Sequence, residues 1–184
     1  ICPEACNIEP YNNKKIGYSG LQKLTYLHPN YFTPNQKLIE NYIDINKKYF
    51  LIRLVQLSAH HDNGITGIDN QVLDKIVEKL KPYGKIYISS ERKIPKKYDK
   101  YKLRTPKNLI HHVMHYSNLL VSDSQSMTVE SCILGVPSIR FNDFVGRISV
   151  LEELENVYKL TYGILPKNKQ KLFDRIEQLL EERD

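Results

Sequence analysis

The stretch Asp123-Ser124-Gln125-Ser126, followed by Glu130, places anion-holding groups next to a carboxylate. A short apolar run from Asn118 to Ser122 leads into it, and a helix over Gln125–Leu134 is predicted to leave it, closed by Gly135. The first four N–H groups of a helix have no internal partner, and the helix dipole adds positive potential. An anion such as phosphate is stabilised there, and backbone amides from Ser124 to Met127 with the hydroxyls of Ser124 and Ser126 supply donors. Glu130 falls about one turn further in. A carboxylate at that place repels phosphate but accepts hydrogen bonds from the vicinal hydroxyls of a ribose. Ordinary capping by Asp123 or Ser124, worth about 1 kcal/mol, accounts for one of these polar residues and leaves the others unexplained.

Three other groups carry reactive residue types. In "RLVQLSAHHDNGITG", Arg53 lies in a strand, and Ser58, His60, His61, Asp62 and Asn63 lie on the loop that leaves it. His60-His61-Asp62 are metal-ligating types, but adjacent residues rarely bind one ion together and no third ligand has useful spacing, so no metal is expected. The loop fits capping of the next helix, and equally it resembles the first loop of a GT-B donor domain, which implies contacts from the histidines to a donor phosphate or sugar. In "SSERKIPKK", Ser90, Glu91 and Arg92 follow another strand, and Arg92 suits either phosphate or Glu91. In "RTPKNLIHHVMHYSN", His111 and His115 share a helix face without the intervening glutamate of a zinc motif. Arg140 and Arg147 are further anion contacts or surface ion pairs. No nucleophile elbow, phosphate-binding P-loop or paired-carboxylate signature is present, so the sequence names no catalytic residue.

The elements that must position these groups alternate. Strands are predicted at Tyr49–Leu57, residues 85–89, near Tyr101–Arg104, at Asn118–Ser122 and at Ser138–Phe141. Helices are predicted at Asn70–Leu80, where Val72, Leu73, Ile76, Val77 and Leu80 share a face, and at Asn108–Ser117, Gln125–Leu134, Val150–Glu155 and Lys169–Glu182. A short helix is expected over Lys37–Asn46. Residues 1–36, with four prolines and no periodicity, read as a linker or the remnant of an upstream domain, and residues 37–184 as one domain. Alternation at this interval implies an α/β fold: a Rossmann-like parallel sheet in three layers, with helices on both faces. Ligands of such sheets bind beyond the carboxyl ends of the strands, where all the loops above should gather.

The chain has 184 residues and a net charge of +6, which suits an anionic partner. The basic residues fall as scattered lysine pairs with no aromatic-interleaved stripe, so nucleic acid is not expected. No apolar run reaches the ~18 residues of a membrane span. Three cysteines do not make a disulfide framework, and a reducing, cytoplasmic setting is expected.

The segment "DSQSMTVESCILGVPSIRF" resembles the D-S-G-G-x-x-x-E-A-x-x-x-G-x-P stretch of UDP-N-acetylglucosamine 2-epimerases and, more broadly, the donor-binding half of GT-B glycosyltransferases. With "GYSGLQKLTYLHPNYFTP", "LIRLVQLSAHHDNGITGI", "YISSER" and "LEELENVYKLTYGI", the chain is more closely similar to a prokaryotic family of predicted glycosyltransferase-like proteins over most of residues 16–165. The resemblance implies a GT-B carboxyl-terminal domain. It assigns a nucleotide-sugar diphosphate to Ser124, Gln125, Ser126 and Met127, the ribose to Glu130, and a base to backbone groups from Pro106 to Leu109. Ser124-Gln125-Ser126 departs from the family's Ser-Gly-Gly, and lost glycines bring the backbone less close to a diphosphate. The resemblance further implies a nucleotide-sugar donor as substrate, no separate cofactor, and an amino-terminal acceptor domain as partner. A peripheral membrane contact stays open. The activities expected are glycosyl transfer, or alternatively epimerisation or hydrolysis of a sugar nucleotide, or binding without catalysis.

Overall fold

The structure, a computed structural model, describes residues 1–56 and 66–182. A small parallel pair, β1 (Cys2–Pro3) and β2 (Gly17–Tyr18), and a single helical turn, α1 (Leu24–Leu27), precede the main sheet. The sheet strands are β3 (Tyr49–Leu54), β4 (Lys85–Ser90), β5 (Leu119–Ser122), β6 (Ser138–Phe141) and β7 (Thr161–Ile164). They pair in the order β4-β3-β5-β6-β7, and every pairing is parallel. The helices between and after them are α2 (Asn70–Leu80), α3 (Ile110–His115), α4 (Gln125–Ile133), α5 (Ser149–Asn156) and α6 (Lys169–Glu181). The chain first steps from β3 outward to β4, then returns to lay β5 on the other flank of β3. That reversal opens a crevice at the carboxyl ends of β3 and β5.

Strand alternation assigns the two faces. Phe50, Ile52 and Leu54 of β3 pack with the buried faces of α2 and α6, while Tyr49 and Leu51 pack with Val113, Met114 and Met127 on the other side. In α2 the residues Val72, Leu73, Ile76, Val77 and Leu80 are buried as their spacing predicts, and Asp69 caps the helix by accepting from the Val72 amide at 2.7 Å. α4 ends at Gly135, whose φ of +72° lets the chain turn back into β6.

Several elements differ from expectation. The strand expected near Tyr101–Arg104 is instead a 3-10 run, Lys96–Tyr101, with one bridge between Ile88 and Lys102. Tyr98 is the reason: it is buried, and its hydroxyl donates to Asp74 of α2 at 2.7 Å, which curls the segment inward. The helix expected at Lys37–Asn46 reduces to a 3-10 turn, Gln36–Leu38, and further turns, because only Ile39 and Ile43 anchor it. The helix expected from Asn108 begins as a 3-10 turn, Lys107–Leu109. Residues 1–36 contact the sheet domain: the Asn7 amide donates to Ser149 Oγ at 2.8 Å, and Leu21 packs on Cys132, Leu151 and Leu154.

Candidate functional site

Asp123 sits at the crevice between β3 and β5 and is fully buried. Its Oδ1 accepts from the Val55 amide at 2.7 Å, and its Oδ2 lies 3.2 Å from Arg92 Nη2 and 3.4 Å from the Ile68 amide nitrogen. Arg92 also donates to the Val55 carbonyl at 3.0 Å and to the Ile68 carbonyl. Asp123 and Arg92 thus tie together the two chain ends that flank residues 57–65. Burial pushes the Asp123 carboxyl above its ordinary value, although the Val55 amide and Arg92 pull the other way. Asn142 at the end of β6 donates to the Asp123 carbonyl at 2.9 Å. Asp143 accepts from the Thr66 amide at 2.7 Å and its hydroxyl at 2.6 Å.

The chain then turns into α4. Ser124 is the N-cap, its Oγ accepting from the Met127 amide at 3.3 Å, and its own amide donates to Ser122 Oγ at 2.8 Å. Gln125 is half-buried and Ser126 exposed, and no earlier carbonyl of the helix reaches their amides, whereas the amides of Ser124 and Met127, expected to hold phosphate, are taken by Ser122 Oγ and Ser124 Oγ. The Met127 side chain is buried in the core, so only its backbone belongs to this turn.

Glu130 is 7% exposed and is already gripped. Tyr26 of α1 donates its hydroxyl to Oε1 at 2.7 Å, His111 Nε2 lies 3.3 Å from Oε2, and Lys23 Nζ lies 3.7 Å from Oε1. Rings of Tyr26 and Phe32 stand 5.6 and 6.0 Å from His111. Burial alone raises the Glu130 carboxyl. The hydrogen bonds from His111 and Tyr26 and the nearby charges outweigh it and hold the acid below its ordinary range. Burial and Glu130 together push the Tyr26 phenol up.

The other expected residues divide. Arg53 bonds Ser89 Oγ at 2.7 Å and pairs with Glu91, whose other oxygen accepts from the Gln56 amide at 3.2 Å. Ser90 shapes the turn after β4 by donating to the Arg92 carbonyl at 2.7 Å. These side chains line the same rim as Asp123, but they bond one another. Pro106 opens the 3-10 turn, where its carbonyl accepts from the Leu109 amide at 3.0 Å, and Leu109 itself packs against the core. Arg140 is not on the rim. It is fully buried against α5, with Nη2 3.3 Å from Glu152 and 3.9 Å from Glu155, while Nε and Nη1 have no partner among the described residues. Ser58, His60 and His61 lie outside the described residues. His111, singled out as half of a metal pair, faces Glu130, and no group of three metal-ligating side chains exists among the described residues. Tyr26 and Lys23 were not legible as site residues: they lie in the segment that resembles the glycosyltransferase-like family, but no role attaches to them there, and 104 positions separate Tyr26 from Glu130.

No protein-family model matches the chain, and no curated protein gives a significant match. Solved structures do. The chain is similar to the Methanocaldococcus jannaschii UDP-GlcNAc 2-epimerase solved in complex with UDP-GlcNAc and UDP, with 20% identity and a TM-score of 0.52 over 86% of this chain and 44% of that one. A second structure of UDP-GlcNAc 2-epimerase from the same organism gives 21% identity and a TM-score of 0.52 over 88% and 46%. The chain spans less than half the length of these neighbours, and the likeness establishes the Rossmann-like fold of the GT-B type. No helix among the described residues is long and apolar enough to cross a membrane.

Proposed function

We propose that this chain is the donor-binding half of a GT-B-type enzyme and binds a nucleoside diphosphate sugar at the carboxyl rim of its sheet. One observation carries the reading: α4 presents the amides of Gln125 and Ser126, for which the helix supplies no carbonyl, at the crevice and a buried carboxylate, Glu130, about a turn further along. The spacing suits a diphosphate on the amides and a pentose diol on the acid. The amides of Gln125 and Ser126, with the helix dipole, would stabilise charge that develops on a leaving diphosphate. Orientation of donor against an acceptor held by another domain would supply much of the remaining rate.

The reaction we assign is glycosyl transfer from that donor. Epimerisation or hydrolysis of the same sugar nucleotide is the second reading, favoured by the likeness to a 2-epimerase solved with UDP-GlcNAc and UDP. Calorimetric titration of the chain with UDP, GDP, CDP and their sugars tests the binding. A nucleotide bound by the wild type and lost in Glu130→Ala supports the proposal. Failure of every nucleotide to bind, or binding that ignores Glu130→Ala, overturns it. Product analysis with the amino-terminal portion present then separates transferred sugar from epimer.

A further inference from the structure

The opposite end of the sheet holds a groove of about 730 Å³ lined by Asp44, Lys47, Lys48, Lys81, Lys85 and Lys100, with Tyr83, Tyr87 and Tyr101 between them. It opens at the amino ends of β3 and β4. A six-residue strand spans about 20 Å, so this groove is far from the rim that carries Asp123 and α4.

The lysines come from three separate segments that the fold clamps together. The Lys85 amide donates to the Lys48 carbonyl at 2.9 Å, tying the turn before β3 to the turn before β4. Gly84 makes that approach possible, because a Cβ there would lie 2.3 Å from the same carbonyl oxygen. Lys100 joins from the 3-10 run, its Nζ 5.0 Å from the Tyr101 ring centroid. The Asp44 amide donates to the Tyr87 hydroxyl oxygen at 3.1 Å, which leaves the phenolic proton free for an acceptor in the groove.

The charge is one-sided. Asp44 is the groove's single acid, and Lys47 takes it at 3.5 Å. Among the described residues no carboxylate pairs with Lys81, Lys85 or Lys100, which are all exposed. Like charges gathered around one concavity repel, and a multivalent anion relieves that repulsion where scattered chloride does so poorly. A volume of this size suits a compact ligand, within the range of small-molecule sites. A flat bilayer would not fill a concave groove, but a phosphate-bearing headgroup would.

We propose that this groove is a second anion site that takes a compact ligand with several clustered phosphates, either a free oligophosphate or the headgroup of a lipid that carries more than one phosphate. The site is independent of the nucleotide rim.

Titration of the whole chain with tripolyphosphate and with orthophosphate reads the site directly. Tripolyphosphate is expected to bind at least tenfold more tightly than orthophosphate, weaken as salt rises, and raise the melting temperature. The pair Lys81→Glu and Lys85→Glu, both on exposed side chains, is expected to abolish the effect, and Ser126→Pro, which removes a first-turn amide of α4, to leave it intact. Sedimentation with phosphatidylcholine vesicles, with and without cardiolipin, separates the sources. Capture by cardiolipin vesicles that is lost in the double variant identifies a lipid headgroup. Tripolyphosphate binding without capture identifies a soluble ligand. Equal affinity for the two phosphates, binding unchanged in the double variant, or no binding by either probe overturns the proposal.

Discussion

At the carboxyl end of the sheet, Asp123 is fully buried and still accepts from two backbone amides while Arg92 lies 3.2 Å away. At the amino end, Lys81, Lys85 and Lys100 line one groove without a carboxylate partner among the described residues. The first region has its charges joined to each other and to loop backbone, so they hold shape. In the second, the ammonium groups of Lys81, Lys85 and Lys100 are on exposed side chains, so they cost the fold little. A buried acid that holds backbone amides is expensive to remove because its donors are left unpaired, whereas an exposed lysine contributes within tenths of a kcal/mol.

The sharpest way to break this contrast is Asp123→Ala. It should lower unfolding free energy by about 3 kcal/mol in urea melts, because two amides and Arg92 lose their acceptor at once. A cost no larger than that of Lys81→Glu would end the comparison. Gly163→Ala should follow at about 2 kcal/mol by thermal or urea unfolding. A Cβ there would stand 2.6 Å from Glu155 Oε2 and 3.1 Å from Arg140 Nη2, inside the buried ion cluster under α5.

Tyr26→Phe sharpens the picture of Glu130. Removal of one hydrogen bond to a charged acceptor should cost about 1.5 kcal/mol of stability. The same change frees an oxygen for a ligand diol, so UDP affinity in calorimetry should rise about fivefold, the equivalent of about 1 kcal/mol. The two rim acids should also titrate with opposite sign. Glu130 has a folded pKa held below its ordinary value of 4.5, so its contribution is present above that value and is lost as pH falls through the folded pKa. Asp123 is raised by burial, so protonation on the way down favours its folded form. Melting temperature against pH should therefore show a shallower acid limb in Glu130→Gln and a steeper one in Asp123→Asn. Lys85→Glu is the smallest expected change, within about 0.5 kcal/mol in the same urea melts.

The legible parts of this molecule were those where one local pattern decides the outcome. The 3.6-residue spacing in α2 and α6, the apolar runs of β3 and β5, and the polar turn at Ser124 all correspond to their positions in the fold. β7 was missed because Thr161–Ile164 is four residues long, includes Gly163 and shows no alternation; it is a strand because β6 offers it an edge. The 3-10 run at Lys96–Tyr101 depends on Tyr98 meeting Asp74, a contact between segments that composition does not reveal. The same holds for the sites. The turn and Glu130 lie within one short segment and could be read together. The Tyr26 contact and the lysine groove join residues from distant segments, so the basic pairs read as scattered until the fold gathered them.

The anchoring of Val55 and Ile68 by Asp123, and of Thr66 by Asp143, has an evolutionary consequence. The stretch at 57–65 enters and leaves the scaffold through fixed posts, and the posts are held by side chains from elsewhere. Replacement of the sequence between the posts leaves in place the hydrogen bonds that Asp123, Arg92 and Asp143 make to them. Related chains can therefore vary the sequence between Val55 and Thr66 while Asp123, Arg92 and Asp143 keep serving as the socket.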